Sequence, residues 1–187
     1  MKTVKLMIIL PLMALFILNA QAKSQTIGLY LTEQDYLNHK LSYSTGNDKI
    51  KVGGLFETNY VILIHDGKKE VLKKNEIFGY SKDGQDYRFF NNAEYRILSN
   101  KGLSIYSHTT LVQQGKGPKP TELYYFSSGL SSPIQQLTLA NIRSTYAKYP
   151  KFVYSVESLF KSDNELAAYG NNNEEYKIAW LYSQNAM

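Results

Sequence analysis

Two Asp-Gly dipeptides, each placed between apolar runs, constrain the fold of this chain more than any other feature of its sequence. Asp66-Gly67 follows the run at 60–64, and Asp83-Gly84 follows the run at 77–80. A two-residue type I′ turn needs positive φ at both central positions, which Asp tolerates and Gly prefers. The dipeptides therefore predict tight β-hairpins, and these turns explain the acidic residues without a catalytic role.

The sequence from 49 to 127 continues as short apolar, β-branched and aromatic runs separated by Gly, Asn and Asp. About seven to nine short strands connected in this way predict one strongly curled antiparallel sheet or a small β-barrel. The run at 60–64 is almost continuously apolar, which is typical of a strand buried on both faces.

Helix signals lie on both sides of this β-rich part. Thr32 with Asp35 predicts a capping box that opens a helix ending near Lys40. Thr138 is predicted to cap a helix that ends near Ala147, and Pro150 suits the first turn of the next helix.

Two further helices are expected near the end of the chain. The capping box at 162–165 predicts a short helix, and a last helix is expected from about 173 to 183. We therefore predict an α+β fold: a curled antiparallel sheet or small β-barrel with one N-terminal helix and a C-terminal helical tail. Residues 23–187 would form a single domain, mainly β at 23–137 and helical at 138–187.

Residues 1–22 have the pattern of a secretory signal peptide. Lys2 and Lys5 form a basic start, 6–18 is almost wholly apolar, and Ala20-Gln21-Ala22 is an A-x-A cleavage site. The apolar run is too short for a spanning helix, although an uncleaved N-terminal anchor is the alternative interpretation. We expect cleavage near Ala22, a periplasmic or secreted protein, and no transmembrane segment afterwards.

Composition narrows the classes of function. The chain has no Cys, so packing rather than a disulfide framework must stabilise it. Without Lys2 and Lys5, the chain has 19 basic and 16 acidic residues, which gives a net charge of +3 spread along the chain. That pattern is typical of a mixed-charge surface, and we expect no nucleic-acid partner.

The known catalytic and metal-binding motifs are missing from the sequence. His39, His65 and His108 are isolated and lack the spacing of a metal site. No nucleophile elbow, phosphate loop or dinucleotide fingerprint occurs. We predict no metal, no cofactor and no catalytic residue.

A pair of carboxylates is the one catalytic arrangement that spacing does not exclude. Two carboxylates that face each other across a cleft can hydrolyse a glycosidic bond. An envelope glycan hydrolase is therefore the alternative function. The acidic residues of the predicted sheet that could form the pair are Glu57, Glu70, Asp83, Asp86, Glu94 and Glu122.

Tyrosine is the strongest compositional signal, with 16 residues, all after residue 22. Tyr favours strands, and its ring also serves as a stacking surface for ligands and partners. The segment 113–120 contains two Gly and two Pro and predicts a protruding mobile loop, with the end of a long hairpin as the alternative. The residues predicted to bind at this loop are Tyr106, Lys116, Lys119, Tyr124 and Tyr125.

Several blocks resemble a group of small exported proteins from Bacteroides-type bacteria. These blocks are GLYLTEQDY at 28–36, KLSY at 40–43, FGY at 78–80, DYRF at 86–89, YYFS at 124–127 and LAAY at 166–169. The group has no assigned function, so the resemblance implies a Gram-negative envelope or secreted location and no site residues.

These observations favour a non-enzymatic exported domain that binds a protein or glycan of the cell envelope. The glycan hydrolase is the first alternative. A purely structural or stress-linked envelope protein is the second, and it would show neither a pocket nor a large exposed apolar patch.

Overall fold

A computed structural model describes residues 27–44, 46–53, 58–171 and 174–185. The predicted signal segment 1–22 and its cleavage near Ala22 lie outside the described residues, as does Glu57. The expectations about export and cleavage therefore stay predictions.

Strands account for most of the regular structure. In chain order they are β1 Ile27–Tyr30, β2 Lys49–Val52, β3 Tyr60–His65, β4 Lys68–Lys73, β5 Gly79–Lys82, β6 Gln85–Phe90, β7 Ala93–Ser99, β8 Ser104–Gln114, β9 Gly117–Ser127, β10 Gln135–Gln136, β11 Tyr169–Gly170 and β12 Glu175–Tyr176. The helices are α1 Glu33–Leu37, α2 Leu139–Thr145, α3 Pro150–Leu159 and α4 Lys177–Asn185.

The strands form antiparallel sheets, which confirms the predicted fold class in its main feature. A seven-stranded sheet has the order β1-β5-β6-β7-β8-β9-β10, β2-β3-β4 form a second sheet, and β11 pairs with β12. The prediction of one curled sheet or a barrel is not supported, because the strands divide among separate sheets and none is closed within the described ranges.

Strand β3, in the separate three-stranded sheet, is buried on one face only. Val61 and Leu63 are fully buried, whereas Ile62 and Ile64 are only half-buried and Tyr60 is exposed. The strand is therefore buried on one face, not on both as its sequence suggested. It pairs with β2 and β4 as a layer of its own and does not enter the larger sheet.

The tight turns have the predicted geometry. Asp66-Gly67 has φ values of 49° and 75°, and Asp83-Gly84 has 54° and 76°, as type I′ turns require. Asn91-Asn92, between β6 and β7, has 48° and 66° and forms the same kind of turn. These hairpins set the register of β3 with β4, of β5 with β6 and of β6 with β7, and the Asp-Gly interpretation is confirmed.

Two layers cover the same face of the seven-stranded sheet. The three-stranded sheet packs over its β1, β5 and β6 end, where the core residues are Leu29, Val61, Ile77, Tyr80 and Phe89. The helices α2, α3 and α4 pack over the β8 and β9 end, with a core that includes Ile105, Phe126, Ile142, Phe152, Val156 and Ile178. The boundary between the two covering layers falls over the middle of the sheet, near β7.

The helix caps are largely as predicted. Asp35 N donates to Thr32 Oγ1 at 3.1 Å and Thr32 N donates to Asp35 Oδ2 at 3.0 Å, which completes the capping box of α1. Thr138 caps α2 by accepting from Asn141 N at 3.1 Å.

The end of the chain differs from the prediction. Residues 163–165 form a single 3₁₀ turn, and α4 begins at Lys177 rather than near 173. The reason is that β12 pairs with β11 immediately before α4, so backbone pairing holds the segment in an extended form. Among the described residues, no helix has both the length and the apolar character that crossing a membrane requires.

The segment 113–120 is the end of a long hairpin, so the prediction of a mobile loop is wrong and its alternative is right. β8 and β9 pair through to Gln114 and Gly117, and only Gly115-Lys116 connects them. Gly115 has φ of 60°, as the first central residue of a type II′ turn requires.

Candidate functional site

The seven-stranded sheet opens into a fork between β7 and β8. These strands pair at Arg96 with Ser107, Ile97 with Tyr106 and Ser99 with Ile105. Among the strands described, residues 93–95 of β7 pair only with β6. Residues 108–114 of β8 pair only with β9. We call this opening the fork.

A histidine side chain stands at the fork where a strand partner would otherwise be. His108 Nδ1 lies 2.9 Å from the carbonyl oxygen of Glu94. Because a carbonyl oxygen only accepts, Nδ1 carries the proton and donates it. The imidazole satisfies a β7 backbone acceptor at the point where the ladder ends.

A groove of about 420 Å³ lies at the fork, and we call it the fork groove. Its lining is mainly polar: Glu94 and Arg96 come from β7, Ser107 and Thr109 from β8, and Glu122 from β9. The end of β2, Lys74 and Tyr87 form its other sides. Its size suits a small ligand or a short oligomer.

Lys74 is buried beside the groove and is paired with Glu94. It is 1 % exposed, and its Nζ donates to Glu94 Oε1 at 3.1 Å and to the carbonyl of Asn92 at 3.0 Å. Tyr80 Oη donates to the other oxygen, Oε2, at 2.7 Å. Both carboxylate oxygens therefore accept hydrogen bonds, which is the condition for a buried ion pair to persist.

The Lys74 network also affects Tyr80. Burial raises the pKa of the Tyr80 hydroxyl well above its ordinary range, and the negative charge of Glu94 raises it further. Tyr80 therefore stays protonated and serves as a permanent donor to the carboxylate. This donor and the Lys74 ammonium together fix the position of the Glu94 carboxylate.

Gly53 brings the end of β2 against the Glu94 carboxylate. Its φ is 69°, and a Cβ at this position would lie 2.8 Å from Glu94 Oε1. The positive φ favours glycine, and a Cβ here would displace the end of the Glu94 side chain. The second sheet therefore meets the main sheet at the groove wall.

Arg96 is the cation of the groove that the described residues leave without an ion pair. The salt bridges found in the described ranges do not include it, although it is only partly exposed. Tyr87 and Ser107 are its neighbours across the sheet. Arg96 and Tyr124 lie on the same face of the sheet, on either side of Ser107. Burial raises the pKa of the Tyr124 hydroxyl, and the positive charge of Arg96 opposes that rise.

The fork groove gathers two of the predicted carboxylates. Glu122 is exposed, lies opposite Thr109, and accepts from Tyr124 Oη at 3.4 Å. Glu94 lies across the fork from it in the same lining.

The other acidic residues of the predicted sheet lie elsewhere. Glu70 is exposed on β4, Asp83 belongs to its hairpin turn, and Asp86 accepts from Tyr30 Oη at 3.0 Å. Only Glu94 and Glu122, among the described candidates, could form a carboxylate pair around one ligand.

The chain matches no family model, no curated protein and no solved structure. In the described ranges, no group of three or more His, Asp or Glu side chains could hold a metal ion.

The predicted binding tyrosines divide between the two faces of the sheet. Tyr106 pairs with Tyr125 on one face, and Tyr124 lies on the other face with Arg96. Tyr106 is fully buried, and its hydroxyl accepts from Arg88 Nη1 at 3.1 Å. Strict alternation along a strand separates Tyr124 from Tyr125, although they are adjacent in sequence.

The remaining predicted binding residues are in different places. Tyr125 is half-buried and packs edge-on against Tyr95, with ring centroids 5.0 Å apart. Lys116 lies in the hairpin turn, and Lys119 is exposed on β9 beyond the groove lining. The structure places only Tyr124, of the predicted set, beside the fork groove.

Sequence reasoning missed Lys74, Arg96 and Ser107. Lys74 lies among other charged residues, and nothing in the sequence marks it as buried. Arg96 did carry a signal, because an arginine interrupts the apolar run 95–98 in the interior of a strand. Arg88 likewise follows a tyrosine in the interior of β6, and its guanidinium donates a hydrogen bond to the Tyr106 hydroxyl.

Proposed function

We propose that the protein is a non-enzymatic binding domain, exported to the periplasm or cell exterior, whose ligand is a carboxylate-bearing glycan of the cell envelope held in the fork groove. The observation that carries the proposal is Arg96, a partly buried guanidinium in the groove lining without an ion pair among the described residues. Guanidinium binds carboxylate in a planar, bidentate manner, which gives both affinity and orientation.

The other groups of the groove suit a sugar. Ser107 and Thr109 offer hydroxyl groups, and the Glu122 carboxylate can accept from sugar hydroxyls. Lys74 does not compete for the ligand's carboxylate, because Glu94 already neutralises it. A ligand with one carboxylate and several hydroxyl groups would use each of these side chains.

The test is calorimetric titration of residues 23–187 with an oligosaccharide of uronic acids and with its neutral hexose counterpart. We expect the acidic oligosaccharide to bind more tightly. Arg96→Gln should weaken binding about 10- to 100-fold, since hydrogen bonds to charged groups contribute about 1.5–3 kcal/mol.

Arg143→Gln is the matched control, because Arg143 forms its ion pair with Glu157 on α3, away from the groove lining. This variant should bind like the unsubstituted protein. Equal affinity for the acidic and neutral sugars, or unchanged affinity in Arg96→Gln, would contradict the proposal.

The presence of Glu94 and Glu122 in one groove favours glycan hydrolysis as a second candidate function. In that reaction one carboxyl group donates a proton to the leaving glycosidic oxygen, and the other accepts a proton from the attacking water. Glu94 and Glu122 would be the two carboxyl groups of this reaction. New reducing ends that appear with the intact protein and not with Glu122→Gln would establish the hydrolase.

Export rests on the pattern of residues 1–22 and on the resemblance to envelope proteins of Gram-negative bacteria. Cell fractionation with N-terminal sequencing tests it. We expect the protein in the periplasm or medium with Lys23 as its first residue, and a cytoplasmic protein that retains Met1 would contradict export.

A further inference from the structure

The outer half of β8 has an exposed backbone edge on the side that β7 leaves at the fork. In a two-residue hairpin the residues that flank the turn, here Gln114 and Gly117, form a hydrogen-bonded pair. Alternation then directs the N–H and C=O groups of every second residue of β8 away from β9. The outward-directed residues are Thr109, Leu111 and Gln113.

The prolines of β9 confirm this alternation and protect the opposite edge of the hairpin. Pro118 lies opposite Gln113, and Pro120 lies opposite Leu111. Proline has no N–H, so neither pair can be a hydrogen-bonded one, and neither residue offers an outward donor. Strand addition at the β9 edge is therefore disfavoured, and the β8 edge remains.

Within the described ranges, the β8 edge lacks the devices that usually protect a sheet edge. Residues 109–114 read TTLVQQ, without charge, proline or glycine. The Leu111 side chain is 66 % exposed. Sheet edges are ordinarily protected by lysine, proline, bulges or a covering segment. An uncharged edge with an exposed leucine is typical of an interface.

We infer that the β8 edge pairs antiparallel with the β8 edge of a second copy of this chain, with Leu111 on the two-fold axis. In this register Thr109 pairs with the partner's Gln113, so outward-directed backbone groups meet one another on both strands. An uncharged strand can meet its own copy without like-charge repulsion.

The number of unprotected edges on this hairpin also sets the size of the assembly. A two-fold contact uses the same patch on both copies, and each copy has one such patch on this hairpin. Pro118 and Pro120 prevent further strands from adding to the far side. The product is therefore a closed dimer with a four-stranded hairpin sheet, and not a fibre. This inference does not depend on the ligand of the fork groove.

The first experiment is sedimentation velocity of residues 23–187 across a micromolar concentration series. We expect a reversible monomer–dimer equilibrium. Leu111→Lys places two ammonium groups opposite each other at the axis and should weaken dimerisation at least about tenfold. Its exposed side chain makes the substitution compatible with folding.

Val71→Lys is the matched control, because Val71 is an exposed residue of β4, 58 % accessible, on the other sheet. It should dimerise like the unsubstituted protein. A protein that stays monomeric throughout the series would overturn the inference. Equal weakening by Leu111→Lys and Val71→Lys would overturn it as well.

The absence of cysteine from the chain allows a second, geometric test. Paired residues in a bonded antiparallel site have Cα atoms about 5.5 Å apart, within the range of a disulfide. Under mild oxidation Leu111→Cys should form a covalent dimer, and Val71→Cys should not. Equal rates of crosslinking for the two variants would place the contact elsewhere.

Discussion

Arg88 Nη1 donates a hydrogen bond to the hydroxyl oxygen of Tyr106 at 3.1 Å, inside the seven-stranded sheet. Arg88 is 6 % exposed, and its Nη2 donates to the carbonyl of Ser132 at 2.9 Å. Its Cζ lies 5.6 Å from the ring centroid of Phe90 and 6.0 Å from that of Phe78. Aromatic faces and neutral oxygens therefore stabilise this buried cation.

Arg88→Met should destabilise the protein by about 2–4 kcal/mol, because the buried Tyr106 hydroxyl and the half-buried Ser132 carbonyl lose their donor. Urea denaturation measures the change in the free energy of unfolding. Arg143→Met is the control: its side chain is 67 % exposed, and the loss should stay below about 1 kcal/mol. Equal losses would show that the buried network contributes nothing specific.

Glu94→Gln should cost about 3–5 kcal/mol, because it leaves the Lys74 ammonium buried without a counter-charge. The double variant Lys74→Met, Glu94→Gln also removes the buried ammonium of Lys74, so it should recover part of the lost free energy of unfolding. Thermal or urea unfolding of Lys74→Met, Glu94→Gln, the double variant and the unsubstituted protein forms the cycle. Additive losses would mean that the two side chains are not coupled.

Gly79→Ala should destabilise the protein strongly, by about 2–4 kcal/mol. A Cβ at this position would lie 1.9 Å from the carbonyl oxygen of Tyr87, which belongs to the backbone of β6 and cannot move aside easily. At Gly117 a Cβ meets nothing within 4 Å and φ is not positive, so Gly117→Ala should change the free energy of unfolding by less than about 0.5 kcal/mol.

His65 should make stability depend on pH. Its Nδ1 lies 2.6 Å from Asp48 Oδ1, and this hydrogen bond raises the pKa of the imidazole above its ordinary value of 6.5. Because the folded-state pKa is the higher one, the contribution is complete below the unfolded-state pKa and is lost as pH rises through the folded-state pKa. NMR titration of His65 should show the raised pKa, and Asp48→Asn should lower it. An unchanged titration in Asp48→Asn would contradict the assignment.

Local signals in the sequence predicted the local structure well. Asp66-Gly67 and Thr32 determine their turn and cap through contacts within a few residues, so their geometry follows from the sequence alone. The separation into sheets was not predictable in this way, because it depends on how β3 packs against distant strands.

The site was harder to predict than the fold. Lys74 and Arg96 are separated by more than 20 residues, and they approach the same groove only after the fork between β7 and β8 has formed. Tyr124 was predicted to bind at the 113–120 segment, and that role stays a prediction, although its hydroxyl donates to Glu122 of the groove lining. Tyr106 was predicted to bind beside Tyr124, but its side chain lies on the other face of the sheet. The sequence alone did not show which face of the sheet each tyrosine occupies.

The fork leaves only a short connection between the two halves of the seven-stranded sheet. Three residue pairs join β7 to β8, so the main sheet has a short seam between its two halves. Arg88 crosses this seam, since it lies on β6 and its guanidinium contacts Tyr106 on β8. Arg88 therefore links the two halves of the sheet across this short seam and helps to keep them in register.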